Sequence, residues 1–389
     1  MSSTSTRTEA LVARSYALNG HDVLDHFSND GCVWLGAGVS FVTAGIAQRV
    51  ALDDAATVLA AIDHRVTDPC SEQAGPRAIG ALPFDPAVDG PGHLVIPARI
   101  VGRDAHGAMW CTEIGALAEP EPVSERRPAQ FSVSARTSHA EWCSMVERAL
   151  EQIANGDLEK VVLARSVAVD ADAPFDLRSI LAYLQRSQPG CVVYADRGFV
   201  GASPELLVRK RAGRVTARPL AGTGTSPDAL LHSAKDAAEH RFVVEAVTAA
   251  LLGCGATVSA EGPAALALPG VSHLATSITA DLTNPDIDVA ALVNALHPTP
   301  AVGGTPRPAA LKAIAALEPF GRGRYAGPCG WVDARGDGEF IVALRGAEID
   351  GSHALLHAGA GIVAGSDPEA EWAETQQKLT PMLQALVRP

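Results

Sequence analysis

Glu371, Glu374 and Lys378 share one face if the residues after 367 form a helix, since successive residues turn by about 100°. Asp367 is a suitable N-cap for that helix, and Pro368 suits its first position. Two carboxylates and an ammonium are groups that would hold a divalent cation together with a small bound anion. The preceding run, Leu356-His357-Ala358-Gly359-Ala360-Gly361-Ile362-Val363, is apolar and glycine-rich. It reads as a strand ending in a tight turn, where Gly359 and Gly361 leave room for a ligand to approach backbone N–H groups. Taken alone, the helix is better read as a solvated terminal face. Its charges gain a purpose only from other stretches.

Further residues have chemistry in reserve. Lys160 stands at the entrance of Glu159-Lys160-Val161-Val162-Leu163-Ala164-Arg165, a run of buried-strand type. A lysine in that place is ordinarily solvent-exposed. Glu205 opens the apolar run Leu206-Leu207-Val208, which is odd for a core and ordinary for an edge. Glu239 sits near the start of a long helical pattern whose apolar face includes Phe242, Val243, Val247, Ala250 and Leu251, and it reads by default as a surface acid. Arg345 lies inside a predicted strand over residues 339–349, between Leu344 and Gly346. A buried arginine there needs an anionic partner.

The elements that must position these groups are legible in outline. Ser138 and Glu141 form a capping box ahead of a helix whose apolar positions are Trp142, Met145, Val146, Ala149, Leu150 and Ile153, with Gly156 as its stop. Residues 191–222 read as an antiparallel meander of short strands. Val271-Ser272-His273-Leu274 is a short apolar strand, and residues 297–306 are too rich in Pro and Gly for either helix or strand. The hairpin signals Gly336-Asp337-Gly338 and Asp350-Gly351 bracket the strand that contains Arg345. Pro381 is expected to kink or end the terminal helix near Gln377. Residues 118–130 read as an exposed polar connector.

Composition excludes several classes of function. The 389 residues carry 47% hydrophobic side chains, enough for a large core, and a formal charge of −13. That charge argues against nucleic acid and anionic membrane surfaces as partners. The start MSSTSTRTEA shows no secretory h-region, and no apolar run is long enough to span a bilayer. Seven singly placed cysteines suggest reduced thiols in a cytoplasmic protein, with neither disulfides nor a zinc site.

From about residue 138 onward, these stretches together resemble the chorismate-utilising enzymes, the isochorismate, salicylate, anthranilate and aminodeoxychorismate synthases. The resemblance is carried, in order, by Glu159-Lys160-Val161-Val162-Leu163-Ala164-Arg165, Ala202-Ser203-Pro204-Glu205-Leu206, Arg218-Pro219-Leu220-Ala221-Gly222-Thr223, Lys235-Asp236-Ala237-Ala238-Glu239-His240, Leu296-His297-Pro298-Thr299-Pro300-Ala301, Arg324-Tyr325-Ala326-Gly327 and the closing segment. Ala81-Leu82-Pro83-Phe84-Asp85 adds a weaker match to isochorismate synthases. The resemblance implies an α/β (α+β) fold, a single compact domain with large antiparallel β-sheets flanked by helices. Residues 1–130 would be its loosely matched amino-terminal part and residues 131–389 its chorismate-binding catalytic module.

The resemblance also implies roles. Mg²⁺ would sit between Glu239 and Glu374, with Glu371 nearby and acting through water. Tyr325, Arg345 and the N–H groups of Gly359 and Gly361 would hold the pyruvyl carboxylate, and Gly222, Thr223 and Lys378 would make further substrate contacts. Lys160 would be the general base and Glu205 the general acid of a hydroxyl transfer from C4 to C2. Lysine at position 160 goes with water rather than ammonia as nucleophile, and Ala221 argues against a covalent intermediate. Ala301 matches the isochorismate type better than the salicylate type. The expected activity is therefore isochorismate synthase, with salicylate synthase as the alternative. It would serve siderophore or menaquinone biosynthesis in the cytoplasm, as a monomer without an amidotransferase subunit.

Overall fold

The computed structural model describes residues 11–68, 70–115, 127–224 and 226–388. The predicted connector lies mostly outside them, as does the start of the chain. The described residues build two large sheets, one of 13 strands and one of 10, with helices packed around them. All pairings are antiparallel except that between Val12–Leu18 and Asp63–Val66. The expected mixed α/β architecture is present, and the first 130 residues contribute to both sheets. Cys32–Leu35 pairs with Val192–Asp196 in the larger sheet, and Arg77–Ala81 pairs with Pro328–Asp333 in the smaller one.

The centre of the larger sheet is the pair Lys160–Ala171 and His353–Val363, in continuous register from Lys160 opposite Val363 to Asp170 opposite His353. Both strands read as near-continuous apolar runs because both faces of the sheet are covered. On one face, Ile180, Leu181 and Leu184 of the helix Leu177–Ser187 pack beside Leu379, Met382 and Leu386 of the terminal helix, against Val167, Val169 and Leu356. The other face looks into the main core, which takes in Trp34, Trp331, Phe340, Val161 and Leu163 together with helical Trp142, Val243 and Leu292.

Three expectations are corrected. The terminal helix is not ended by Pro381; it runs Pro368–Val387. An interior proline costs roughly 3 kcal/mol. Leu379, Met382 and Leu386, all buried beyond the expected break, each return about 1.5–3 kcal/mol. Secondly, the 191–222 meander is divided between two sheets. Val192–Asp196 and Phe199–Ser203 belong to the larger sheet, whereas Leu206–Arg211, Arg214–Arg218 and Leu220–Gly224 belong to the smaller. Thirdly, the strand expected over 339–349 is two strands, Gly338–Val342 in the smaller sheet and Gly346–Asp350 in the larger. The chain changes sheet at 204–205 and again at 343–345. The crossings lie side by side: Ser203 Oγ donates to Val342 O at 2.6 Å, and Val342 N–H to Glu205 O at 3.1 Å.

Val271–Leu282 is longer than the four residues expected, and it pairs with Ala256–Leu268, a strand without a clear sequence signal. Ala256–Leu268 is alanine-rich, mostly exposed and interrupted by Gly262 and Pro263, so neither burial nor β-propensity marks it.

Candidate active site

Where the two sheets part, a cavity opens whose walls include Glu205, Ala221, Gly222, Thr223, Glu239, His273, Ala301, Tyr325, Arg345, Gly359, Gly361 and Lys378. Lys160 stands directly behind Glu239, so residues scattered over the last 230 positions of the chain converge here. The sheet crossings deliver Glu205 and Arg345. Neither lies within a strand, and Glu205 is no edge residue: it is only 3% exposed. Arg345 has φ 52°, the left-handed region that side chains other than glycine seldom adopt, because the chain must turn sharply to leave one sheet for the other.

Lys160 is fully buried, contrary to the usual behaviour of a strand-end lysine. Its Nζ lies 3.0 Å from Glu239 Oε1. Gly361 makes that pair sterically feasible, since a Cβ there would stand 2.3 Å from Glu239 Oε1 and 3.1 Å from Lys160 Cε. Gly359 and Gly361 lie inside the His353–Val363 strand rather than at the predicted turn. Their N–H groups nevertheless face the cavity. Val162 N–H donates away to Gly303 O and Ala164 N–H to Glu318 Oε1, both at 2.8 Å. In an antiparallel ladder their partners Gly361 and Gly359 must then turn their own polar groups to the opposite side. Lys378 Nζ meets the Gly359 carbonyl there, at 2.9 Å.

Each of three acids is matched by a lysine. Glu239 pairs with Lys160, Glu371 with Lys235 at 2.8 Å and Glu374 with Lys378 at 2.7 Å. The acids come from the helices Ala234–Gly253 and Pro368–Val387. Burial opposes the charge of Glu239, but Lys160, Lys378 and Lys235 outweigh it and hold its carboxyl below the usual range. Burial and the neighbouring Glu374 push Glu371 up, against the pull of Lys235. Hard carboxylate oxygens on two facing helices, their charge now balanced by exchangeable ammonium groups, are a donor set that fits Mg²⁺.

Glu205 differs. Burial pushes its carboxyl up to about 7, although the Leu220 backbone, Lys160 and Lys378 pull the other way. A carboxylic acid poised near neutrality is suited to proton donation. Arg345 is as buried as its sequence context implied, yet no carboxylate among the described residues pairs with it. Its Nη1 has no partner, and Nη2 donates to His273 Nε2 at 2.8 Å. Burial holds the guanidinium below its ordinary value. The cavity therefore presents an uncompensated cation to its contents, which fits an anionic ligand.

His273 was missed as a site residue, though it lies within the recognised apolar strand. Its Nδ1–H donates to Gly222 O at 3.2 Å, so Nε2 is the acceptor for Arg345. Burial, then Arg345 and Lys378, push it down to about 3, so the ring stays neutral. The signal was an isolated histidine in an otherwise apolar strand. His357, also missed, stacks on Tyr325 with ring centroids 5.2 Å apart.

Residues 102–387 match the family described as chorismate binding enzyme. The chain belongs to that family. It is 36% identical over 339 residues to isochorismate synthase DhbC of Bacillus subtilis, covering 81% of this chain and 82% of that protein. It is 35% identical over 324 residues to isochorismate synthase EntC of Escherichia coli, covering 79% of this chain and 80% of that one. Among solved structures it resembles MenF, the menaquinone-specific isochorismate synthase of Escherichia coli, with TM-score 0.83 and 28% identity over 97% of this chain and 95% of that one. No helix among the described residues is long and apolar enough to cross a membrane.

Proposed function

We propose that this chorismate-binding enzyme is an isochorismate synthase that relocates the hydroxyl of chorismate from C4 to C2. Lys160 takes a proton from the water that attacks C2. The ring double bond shifts, and the C4 hydroxyl leaves with a proton from Glu205. One water enters and one leaves, so the net reaction is an isomerisation. The observation that carries the reading is a buried acid near neutrality in the cavity wall, with the buried Lys160 directly behind the wall residue Glu239, which gives acid and base for water chemistry without a nucleophile for covalent chemistry at Ala221.

Arg345, left with a free Nη1, receives the pyruvyl carboxylate, helped by Tyr325 and the Gly359 and Gly361 N–H groups. Gly222, Thr223 and Lys378 complete the contacts, and Ala301 closes the wall with a small apolar side chain. Glu239 and Glu374, with Glu371 acting through water, would hold Mg²⁺, which when bound supplies charge neutralisation for the ring carboxylate. Residues 1–130 form one domain with the catalytic module, and the enzyme works as a cytoplasmic monomer in siderophore or menaquinone biosynthesis.

Chromatography of an early time point with chorismate and Mg²⁺ at neutral pH tests the reaction. Isochorismate is the expected product, and isochorismate supplied alone should return chorismate. Stoichiometric pyruvate and salicylate with no isochorismate would overturn the reading in favour of salicylate synthase. Anthranilate or aminodeoxychorismate formed with ammonium would overturn the role of Lys160.

A further inference from the structure

Away from the cavity, the helix His139–Ala154 meets the first turn of the terminal helix in a cluster with three kinds of metal-ligand atom. His139 and Cys143 are one helical turn apart and face the same way. Glu369 comes from the start of the terminal helix. His139 Nε2 lies 3.0 Å from Glu369 Oε2. Cys143 Sγ lies 3.8 Å from His139 Nε2 and 3.9 Å from Glu369 Oε1. On a tetrahedral ion with zinc-type bond lengths, nitrogen, sulfur and oxygen ligands stand about 3.4–3.6 Å from one another. The separations, taken to one Glu369 oxygen from His139 and to the other from Cys143, are within about half an ångström of these spacings, and one ligand atom from each residue lies within 4.8 Å of the other two.

The junction is also braced. Trp142 Nε1 donates to Pro368 O at 3.2 Å, and the Trp372 ring stands edge-on to the His139 imidazole with centroids 5.0 Å apart. The Ser138–Glu141 capping box fixes the turn that carries His139. Glu147 and Asp367 add negative charge near Cys143. His139 and Glu369 are exposed and Cys143 is half-buried, so an ion can reach all three from solvent.

We propose that His139, Cys143 and Glu369 bind a zinc-class divalent ion, with the fourth position left to water. Imidazole and thiolate favour such ions over Mg²⁺, so this site and the hard-oxygen carboxylates of the cavity select different metals. The bound ion deprotonates the thiol. It joins two helices that otherwise meet through packing and single hydrogen bonds, and one of them carries Glu371, Glu374 and Lys378. Cysteine spacing argued against a zinc site because this set uses a single cysteine, with its other ligands from an adjacent helical turn and a distant helix.

The test is a Co²⁺ titration of the full-length protein, cleared of metals and then supplied with excess Mg²⁺. The thiolate-to-cobalt charge-transfer absorption reports the ion, since cobalt on carboxylates alone lacks it. One Co²⁺ per chain with this absorption is expected, displaced by Zn²⁺ and lost in Cys143→Ser and in His139→Ala. Zn²⁺ should raise the thermal midpoint of the wild type and of neither variant. Absence of thiolate absorption in the wild type would overturn the proposal, as would its persistence in Cys143→Ser, which would place the ion on another cysteine. Glu369→Ala, altering only an exposed side chain, gives the same reading should His139→Ala fail to fold.

Discussion

Arg322 and Arg345 are two nearly equally buried arginines, 4% and 7% exposed, yet they are built in opposite ways. Every guanidinium nitrogen of Arg322 has a partner. Its Nε donates to Glu318 Oε2 at 2.9 Å, Nη2 to Glu318 Oε1 at 2.5 Å and Val162 O at 2.8 Å, and Nη1 to Val302 O at 2.8 Å. Glu318 in turn accepts from Ala164 N–H, which ties the network to the central strand. Burial opposes the charge of Arg322, but Glu318 outweighs it and holds the guanidinium up; for Arg345 burial wins. Arg345 shares one hydrogen bond with a neutral histidine and keeps a donor free. A closed network is a brace. An incomplete one beside a cavity is a receptor whose missing part is the ligand.

The strongest way to break this contrast is to remove the ion proposed for the cavity. EDTA should abolish turnover, and so should Glu239→Gln or Glu374→Gln, with near-UV circular dichroism unchanged. Undiminished turnover in EDTA would remove the Mg²⁺ assignment. Next in size, Lys160→Ala and Glu205→Gln should each slow the chemical step by roughly 10²–10⁴-fold while chorismate binding is retained; single-turnover kinetics and calorimetry separate the two.

The arginines themselves make a crossed experiment. Arg322→Ala, which strands a buried Glu318, should cost about 3–5 kcal/mol of folding stability. Arg345→Ala should leave the denaturation midpoint near wild type and weaken chorismate binding by about 2–5 kcal/mol. Loss of stability in Arg345→Ala equal to that in Arg322→Ala would make Arg345 a brace as well.

The smallest effect is on pH dependence. The Glu205 carboxyl, at about 7 against a usual 4.5, binds its proton more tightly in the folded chain. As an acid it works when protonated, so kcat/KM should fall as pH rises through about 7, and that limb should vanish in Glu205→Gln. Its contribution to folding stability has the same sign: fully present below the usual carboxylate value and lost as pH rises through 7. Denaturant titrations of wild type and Glu205→Gln between those values should diverge accordingly.

Sequence reasoning reached local elements where the signal is local. The Ser138–Glu141 capping box, the Asp367 cap and the hairpins at 336–338 and 350–351 need only neighbouring residues, and all are present. It failed where distant packing decides. Pro381 is carried through by side chains buried on the far side of the sheet, and the exposed partner of Val271–Leu282 has no burial pattern to read. His273 was passed over because a histidine in an apolar strand gains meaning only from what faces it.

The sequence by itself determined which chemical groups this protein has and which short elements carry them: the acids one turn apart on the terminal helix, the lysine opening a buried strand, the glycines of 359–361. Those follow from periodicity, capping and side-chain chemistry, which act over a few residues. Only the tertiary structure decided that Glu205 and Arg345 stand at adjacent sheet crossings, that Lys160 is buried against Glu239, and that one arginine is closed while the other stays open. Burial and charge pairing depend on segments far apart in the chain. Spacing along it leaves undetermined which group is left without a partner.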